Sequence, residues 1–306
     1  MQLTRRDVIK LGLGAATVSA LRPFSNLLAQ DPLITKAIPS SGERIPVVGI
    51  GTRDFGGGTP VPREEYKEVL RQFPQVGGKV IDTATGYQSG RSETLIGDLV
   101  SELGNRDQLF LATKVNARSK QAGIEQIEQS FRRLRTNRLD LIAVHNLQDT
   151  TTQLATLREM KQAGRIRYVG ITTSSESQYE ELEGFMKTQT MDFVQVDYAL
   201  DSREAGDRLL PLAADRGVAV MVNLPFGRRR LFAAVQNRPL PDWAKEIDCT
   251  SWAQIFLKYI VSHPAVTCAI PGTRRVAHLT DNIRAAQGRM PDAAIRRRME
   301  QFMDGI

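Results

Sequence analysis

Short apolar runs rich in β-branched residues recur along the chain, and amphipathic stretches of helical period fill the gaps between them. The runs cover residues 47–51, 80–82, 109–114, 139–145, 167–171, 193–196, 218–222 and 265–270. Their ends lie 31, 32, 31, 26, 25, 26 and 48 residues apart. Each of the first six intervals holds one strand–helix unit, and the seventh holds a unit plus an insertion over 223–250. Between the runs, Ile124, Ile127, Phe131 and Leu134 fall at i, i+3, i+7 and i+10, one stripe along a helix. Leu182, Phe185 and Met186 repeat that spacing over a shorter stretch. Strands that read as continuous apolar runs, each followed by a helix, belong to a parallel sheet covered by helices. Eight such units close most simply into a (β/α)8 TIM barrel, an α/β fold.

Two flanking elements complete the expected fold. Residues 33–38 and 43–46 bracket the turn sequence Pro39-Ser40-Ser41-Gly42, which predicts an N-terminal β-hairpin able to plug the bottom of the barrel. Residues 292–303 form an extra C-terminal helix rich in arginine. No low-complexity stretch or linker divides residues 31–306, which read as one barrel domain.

Residues 1–30 carry a different pattern. Thr4-Arg5-Arg6-Asp7-Val8-Ile9-Lys10 precedes eleven mostly apolar or small residues, 11–21. That length suits the hydrophobic region of a signal peptide and falls short of the ~20 residues that span a bilayer. The paired arginines resemble a twin-arginine signal, whose translocon passes folded proteins. Cleavage fits after Ala20 or near Ala29. The expectation is export to the periplasm, with the translocon as a transient partner.

Composition narrows the rest. Hydrophobic residues make up 41% and charged residues 25% of 306, which excludes a disordered or collagen-like chain. No apolar run is long enough to cross a bilayer, so no stable membrane association is expected. Cys249 and Cys268 are too few for a disulfide scaffold or a structural zinc site. Of the net charge of +7, Arg5, Arg6, Lys10 and Arg22 against Asp7 place +3 in the first thirty residues. The +4 that remains is mixed with acidic residues, apart from Arg228-Arg229-Arg230 and Arg296-Arg297-Arg298, which read as solvated faces. Nucleic acid is not indicated.

In a barrel of this kind, chemistry sits at the carboxyl ends of the strands. Asp82 ends the second run, Tyr87 lies five residues on, Lys114 ends the third and His145 the fourth. Neighbouring strands lie about 4.8 Å apart, so these side chains can converge. Taken singly, each has a structural explanation: a helix cap, a surface aromatic, a solvated lysine, a buried histidine. Together they favour proton donation to an oxygen. A free phenol, with pKa near 10, is a weak acid at neutrality, and an adjacent ammonium stabilises its phenolate. Asp82 would hold Lys114 charged and oriented, and His145 would donate a hydrogen bond to the same oxygen. The set contains no strong nucleophile, so the reactive group must come from a cofactor.

On these residues the body, from about 33 to 287, resembles an aldo/keto reductase. Asp82, Tyr87, Lys114 and His145 match that family's tetrad, and the stretch VIDTATGYQSGRSE from Val80 to Glu93 is similar to its signature around the tyrosine. The stretch GRIRYVG from Gly164 is similar to the approach to strand five, and Val194-Gln195-Val196-Asp197-Tyr198 to strand six. The stretch IPGTRRVAHLTDN from Ile270 is similar to the segment that grips the adenosine end of a nicotinamide nucleotide. The resemblance implies hydride transfer to a carbonyl carbon with Tyr87 as proton donor. It also implies cofactor contacts from Gly51, Thr52, Asp82, Thr172, Thr173, Gln195, Gly272, Thr273, Arg274, Arg275, Asp281 and Asn282. Thr273 and Arg274 are expected at a helix start, where backbone N–H groups favour an anion. Arg274 or Arg275 would pair with a 2′-phosphate, which favours NADP(H) over NAD(H).

Two positions depart from the family pattern. Where it has a Ser-Asn pair for the carboxamide, this chain has Thr172 and Thr173. Where it often has a pocket aromatic after Gly51-Thr52, this chain has Arg53, which suits a polar or anionic carbonyl substrate. Phe55, Asn116, Asn146 and Phe226 are expected to line the remaining pocket, from their loop positions, and Arg228–Arg230 is a candidate cover for the pyrophosphate. The alternative from another class is a non-catalytic cofactor-binding or regulatory subunit on the same barrel. A carboxylate-pair hydrolase explains neither Tyr87 nor Lys114.

Overall fold

The computed structural model describes residues 32–57 and 61–306, and the signal segment expected over 1–30 lies outside them. The chain from Leu33 to Ile306 is one compact unit. It opens with an antiparallel hairpin, β1 (Thr35–Ala37) and β2 (Arg44–Pro46). Eight parallel strands follow: β3 (Ile50–Gly51), β4 (Val80–Asp82), β5 (Phe110–Val115), β6 (Leu139–His145), β7 (Ile166–Thr172), β8 (Phe193–Asp197), β9 (Ala219–Asn223) and β10 (Val266–Ala269). Each pairs with its neighbours in chain order. The ring closes between β3 and β10 by isolated bridges, Val48 to Ala269 and Gly51 to Gly272.

The helices between them are α1 (Arg63–Gln75), α2 (Arg91–Leu103), α3 (Lys120–Arg133), α4 (Thr150–Gln162), α5 (Tyr179–Thr188) and α6 (Ala205–Asp215). A short α7 (Arg230–Ala234) lies in the insertion, followed by α8 (Trp252–Val261), α9 (Val276–Arg284) and α10 (Ala293–Asp304). Side-chain caps start several of them. Ser119 Oγ accepts from the Ala122 amide at α3, and Ser251 Oγ accepts from the Gln254 amide at α8. The expected barrel, hairpin and C-terminal helix are all present. The first strand is shorter than the expected 47–51. Residues 47–49 bond to Ile34 (Val47 N to Ile34 O, 3.0 Å) and to β10 (Ala269 N to Val47 O, 2.9 Å; Gly49 N to Ala269 O, 2.8 Å), and form no ladder with β4.

The two-residue period of a strand sorts the barrel interior into layers. Val80, Phe110, Ala112, Leu141, Tyr168, Phe193, Ala219, Met221, Cys268 and Ile270 form one buried cluster, which Ile38 and Ile45 of the hairpin join. The Phe110, Tyr168 and Phe193 rings pack with centroids 5.6, 5.8 and 6.0 Å apart. Tyr168 donates its hydroxyl to Glu43 (2.8 Å) in the hairpin, so the plug is bonded as well as packed. Counting on by twos toward the carboxyl ends brings Asp82, Lys114, His145, Thr172, Gln195 and Asn223 onto that same inner face. An apolar floor thus carries a polar upper layer.

Candidate active site

Asp82 and Lys114 are buried in that upper layer, 4% and 2% exposed. Lys114 Nζ donates to both Asp82 carboxylate oxygens (2.8 and 2.7 Å) and to the Thr83 carbonyl (2.7 Å). The Tyr87 hydroxyl lies 3.5 Å from the same ammonium. Burial works against the Lys114 charge. Asp82, followed by the Tyr87 oxygen, more than offsets it, and the lysine pKa sits above its ordinary value. His145 ends β6 half-buried, its ring 6.1 Å from that of Tyr87 and nearly perpendicular at 81°. Burial and then the Lys114 charge push its pKa down to about 4, so the imidazole is neutral at physiological pH. The four residues expected to converge do so.

The loop that carries Tyr87 is held from three sides. Tyr87–Gly90 is a 3₁₀ turn in which Gln88 and Ser89 take left-handed φ values of 53° and 58°, a conformation that costs non-glycine residues roughly 1 kcal/mol each. Gln88 Nε2 donates to the Arg53 carbonyl (3.0 Å). Arg133, at the end of α3, donates to the Thr85 carbonyl (3.4 Å) and to Glu93 (3.3 Å). Glu93, fully buried, also accepts from Thr113 Oγ1 (2.7 Å). On the first loop, Thr52 Oγ1 donates to the Asp82 carbonyl (2.8 Å), and Ser92 Oγ donates to the Thr52 carbonyl (2.9 Å).

Beside the tetrad, Thr172 and Gln195 are register partners on β7 and β8. Thr172 Oγ1 donates to Gln195 Oε1 (2.9 Å), and Gln195 Nε2 donates to Asp82 Oδ1 (2.9 Å) and Met221 Sδ (3.2 Å). Thr173 donates its hydroxyl to Gln178 Oε1 (2.6 Å) and accepts from the Ser175 amide (3.1 Å). Asn223 was not singled out by sequence. It donates through Nδ2 to the Thr173 carbonyl (3.0 Å), and the strand-end position already used for Asp82 and His145 was the signal for it.

The segment after β10 differs in detail from expectation. Its helix begins at Val276, with Arg275 as N-cap, so Thr273 and Arg274 precede the helix start. The Val276 amide already donates to Glu65 on α1 (3.1 Å), which puts a carboxylate at that terminus. Gly51 and Gly272 face each other across the closing seam, and the Thr273 amide donates to the Gly51 carbonyl (3.3 Å). Asn282 Nδ2 donates to Thr273 Oγ1 (3.1 Å), and Asp281 accepts from Ser251 (2.8 Å) and Gln254 (2.6 Å) at the start of α8. Arg274 is half-buried and donates to the Gly57 carbonyl (3.5 Å), and Arg275 is exposed.

The expected pocket lining is corrected at Phe55. Its ring is fully buried against Tyr66, 4.7 Å between centroids, because the tight turn from Thr52 (Phe55 N to Thr52 O, 2.9 Å) aims it into the core. Asn116 pairs with Gln126 on α3 (2.8 Å) and Asn146 is exposed. Phe226 is half-buried against Phe232, 4.9 Å between centroids. Arg228, Arg229 and Arg230 are exposed, with Arg230 paired to Asp201 (3.0 Å).

A charged lysine against a phenol, with a neutral imidazole opposite and amide-bearing side chains alongside, can stabilise and reprotonate an oxygen anion. Fold and site together define a parallel-barrel enzyme of the oxidoreductase kind. The profile of the aldo/keto reductase family matches residues 47–300, and the chain belongs to that family of NAD(P)H-dependent oxidoreductases. Methylglyoxal reductase YeaE of Escherichia coli (strain K12) is 30% identical over 257 residues, covering 81% of this chain and 88% of that protein. Aldo-keto reductase YhdN of Bacillus subtilis (strain 168) is also 30% identical, over 201 residues, which cover 61% of this chain and 60% of the relative. Among solved structures, an aldo/keto reductase from Klebsiella pneumoniae in complex with NADP and acetate superposes with a TM-score of 0.74 at 25% identity, covering 86% of this chain and 93% of that one.

Proposed function

We propose that the protein reduces an aldehyde or ketone to the alcohol with NADPH, and that Tyr87 donates the proton. The observation that carries this is the Tyr87 hydroxyl 3.5 Å from an ammonium that Asp82 grips through both carboxylate oxygens. The residues present fit a nicotinamide nucleotide. Thr172 and Gln195 offer polar groups on the inner face, and a Cβ placed on Gly272 would meet nothing within 4 Å, which leaves room beside Thr273. When bound, the nucleotide supplies a hydride to the carbonyl carbon. The oxygen then takes the Tyr87 proton, Lys114 stabilises the phenolate left behind, and Asp82 keeps Lys114 charged. Neutral His145 donates an N–H to the same oxygen and orients the carbonyl.

Tyr87→Phe tests the assignment. Turnover should fall about 10²–10⁴-fold, the usual worth of general acid catalysis, while nucleotide affinity holds. Near-wild-type turnover would remove Tyr87 from the role. Wild-type protein that binds NADPH yet reduces nothing across a broad carbonyl panel would favour the non-catalytic reading.

Family membership does not choose between the two nucleotides, so the preference for NADPH rests on Arg274 and Arg275. Replacing both by Ala should weaken NADPH far more than NADH, each charge-assisted bond being worth about 1.5–3 kcal/mol. Equal losses would show that these arginines do not read the 2′-phosphate. Exposed Arg53, its carbonyl pinned by Gln88, favours a polar or anionic carbonyl compound as substrate. The paired Arg5-Arg6 supports export of the folded, nucleotide-loaded protein through the twin-arginine translocon. Cell fractionation of an Arg5→Lys, Arg6→Lys variant tests that, and an unchanged location would end the export proposal.

A further inference from the structure

Asn223 is the last residue of β9, and alternation along that strand puts it on the inner face with Ala219 and Met221 of the interior cluster. Its Cα partner is Asp197, and its Nδ2 donates to the Thr173 carbonyl at 3.0 Å. A carbonyl can only accept, so this bond fixes which way the Asn223 amide faces. The other end, Oδ1, is buried and has no hydrogen-bond partner among the described residues. Five side-chain atoms share that condition, and Asn223 Oδ1 alone ends a barrel strand. Leaving a buried acceptor unmade is unfavourable, and native structures rarely do so without reason.

The donors of its neighbours are already spent. The Thr173 hydroxyl donates to Gln178 and accepts from Ser175, Thr172 donates to Gln195, and the Gln195 amide nitrogen is shared between Asp82 and Met221. Thr173 therefore has no donor to offer the orphan, and its lone hydroxyl lacks the two-sided amide of an asparagine at that position. The orphan needs a donor, and the reacting carbonyl of a substrate is not one. A nicotinamide carboxamide carries an NH₂.

We propose that Asn223 Oδ1 accepts from the carboxamide NH₂ of the nicotinamide, so that the amide missing at position 173 is supplied from the next-but-one strand, β9. The proposal rests on the nicotinamide reading above and adds a recognition residue to it. Two probes separate the two ideas: NADP⁺, and its 3-acetylpyridine analogue, which keeps the ring carbonyl and replaces NH₂ by CH₃. Dissociation constants are measured by isothermal titration on the full-length protein. Wild type should bind NADP⁺ about three- to tenfold more tightly than the analogue, the worth of one neutral hydrogen bond. Asn223→Leu should lose that preference, and Asn223→Asp, which keeps an acceptor, should retain it. Thermal melting of each apo variant checks folding, and Asn223→Ser, too short to reach, replaces the Leu variant if that one fails to fold. A preference kept by the Leu or Ser variant, or absent from the wild type, overturns the role of Asn223. Wild type that binds neither probe overturns the nicotinamide reading and this inference together.

Discussion

Lys114 has its ammonium among four oxygens and almost no contact with water. Removing one member of a buried ion pair strands the other charge. Lys114→Met should therefore destabilise the fold by about 3–5 kcal/mol in urea denaturation, and adding Asp82→Asn should recover a large part of it. A double variant no more stable than the single would show that Asp82 is satisfied without the lysine. In the proposed mechanism His145 is a neutral donor, so His145→Gln, which keeps an N–H, should lose less turnover than His145→Leu. Equal losses would argue for a charged imidazole. Asp82, Lys114 and His145 were legible in the sequence from strand ends, and Gln195 through the family resemblance. Side-chain direction within turns was not legible. Phe55 was expected in the pocket and lies in the core, and Asn282 is bonded to Thr273 by a contact that no sequence spacing encodes.

At the scale of elements, barrel strands were readable because parallel strands buried on both faces become apolar runs. Their ends were less so. A strand needs a continuous ladder, and only Ile50–Gly51 has one, with β4, whereas Val48 makes a single isolated bridge to Ala269. The start of α9 was misplaced because Arg275, not Thr273, caps it. Helix packing also bears on the site. Gly97 in α2 lies so close to α3 that a Cβ there would be 2.0 Å from the Arg133 carbonyl oxygen. Gly97→Ala should cost about 3 kcal/mol, the upper end for overpacking. It should also lower turnover, since Arg133 anchors the Tyr87 loop through Thr85 and Glu93. A variant with wild-type melting temperature and turnover would mean that α2 and α3 separate at no cost.

For the whole molecule, two half-buried histidines set an acid limit. Burial and the charges of Arg296 and Lys36 push His263 down to about 4, and its Nδ1 accepts from the Ala265 amide (3.2 Å), a bond that protonation breaks. His145 sits at about 4 as well. In the unfolded chain both titrate near 6.5. Between pH 6.5 and 4 the unfolded state takes up protons that the native state refuses, so stability falls as pH drops through that window. The loss should be about 1–3 kcal/mol per histidine. Melting curves of a His145→Gln, His263→Gln variant should be flatter than wild type over that range, and parallel curves would assign the acid limit to other groups.

The seam between β3 and β10 has a consequence for how the protein holds its ligand. Four main-chain bonds close it: Ala269 N to Val47 O, Gly49 N to Ala269 O, Gly51 N to Pro271 O and Thr273 N to Gly51 O, at 2.8–3.3 Å. Gly51 and Thr273, one on each side, both belong to the expected cofactor set. A nucleotide lying across them would act as a clasp on the join that closes the cylinder. Occupancy at a thousand times the dissociation constant is worth about 4 kcal/mol of stability, concentrated where the wall opens. The amides of Gly49, Gly51, Ala269 and Thr273 should then lead hydrogen exchange in the empty protein and slow selectively once NADP⁺ is added. Uniform slowing would place the opening elsewhere. If a nucleotide does lie across the seam, its release is coupled to parting of the wall, and the rate at which the seam opens would then set how long the molecule keeps it.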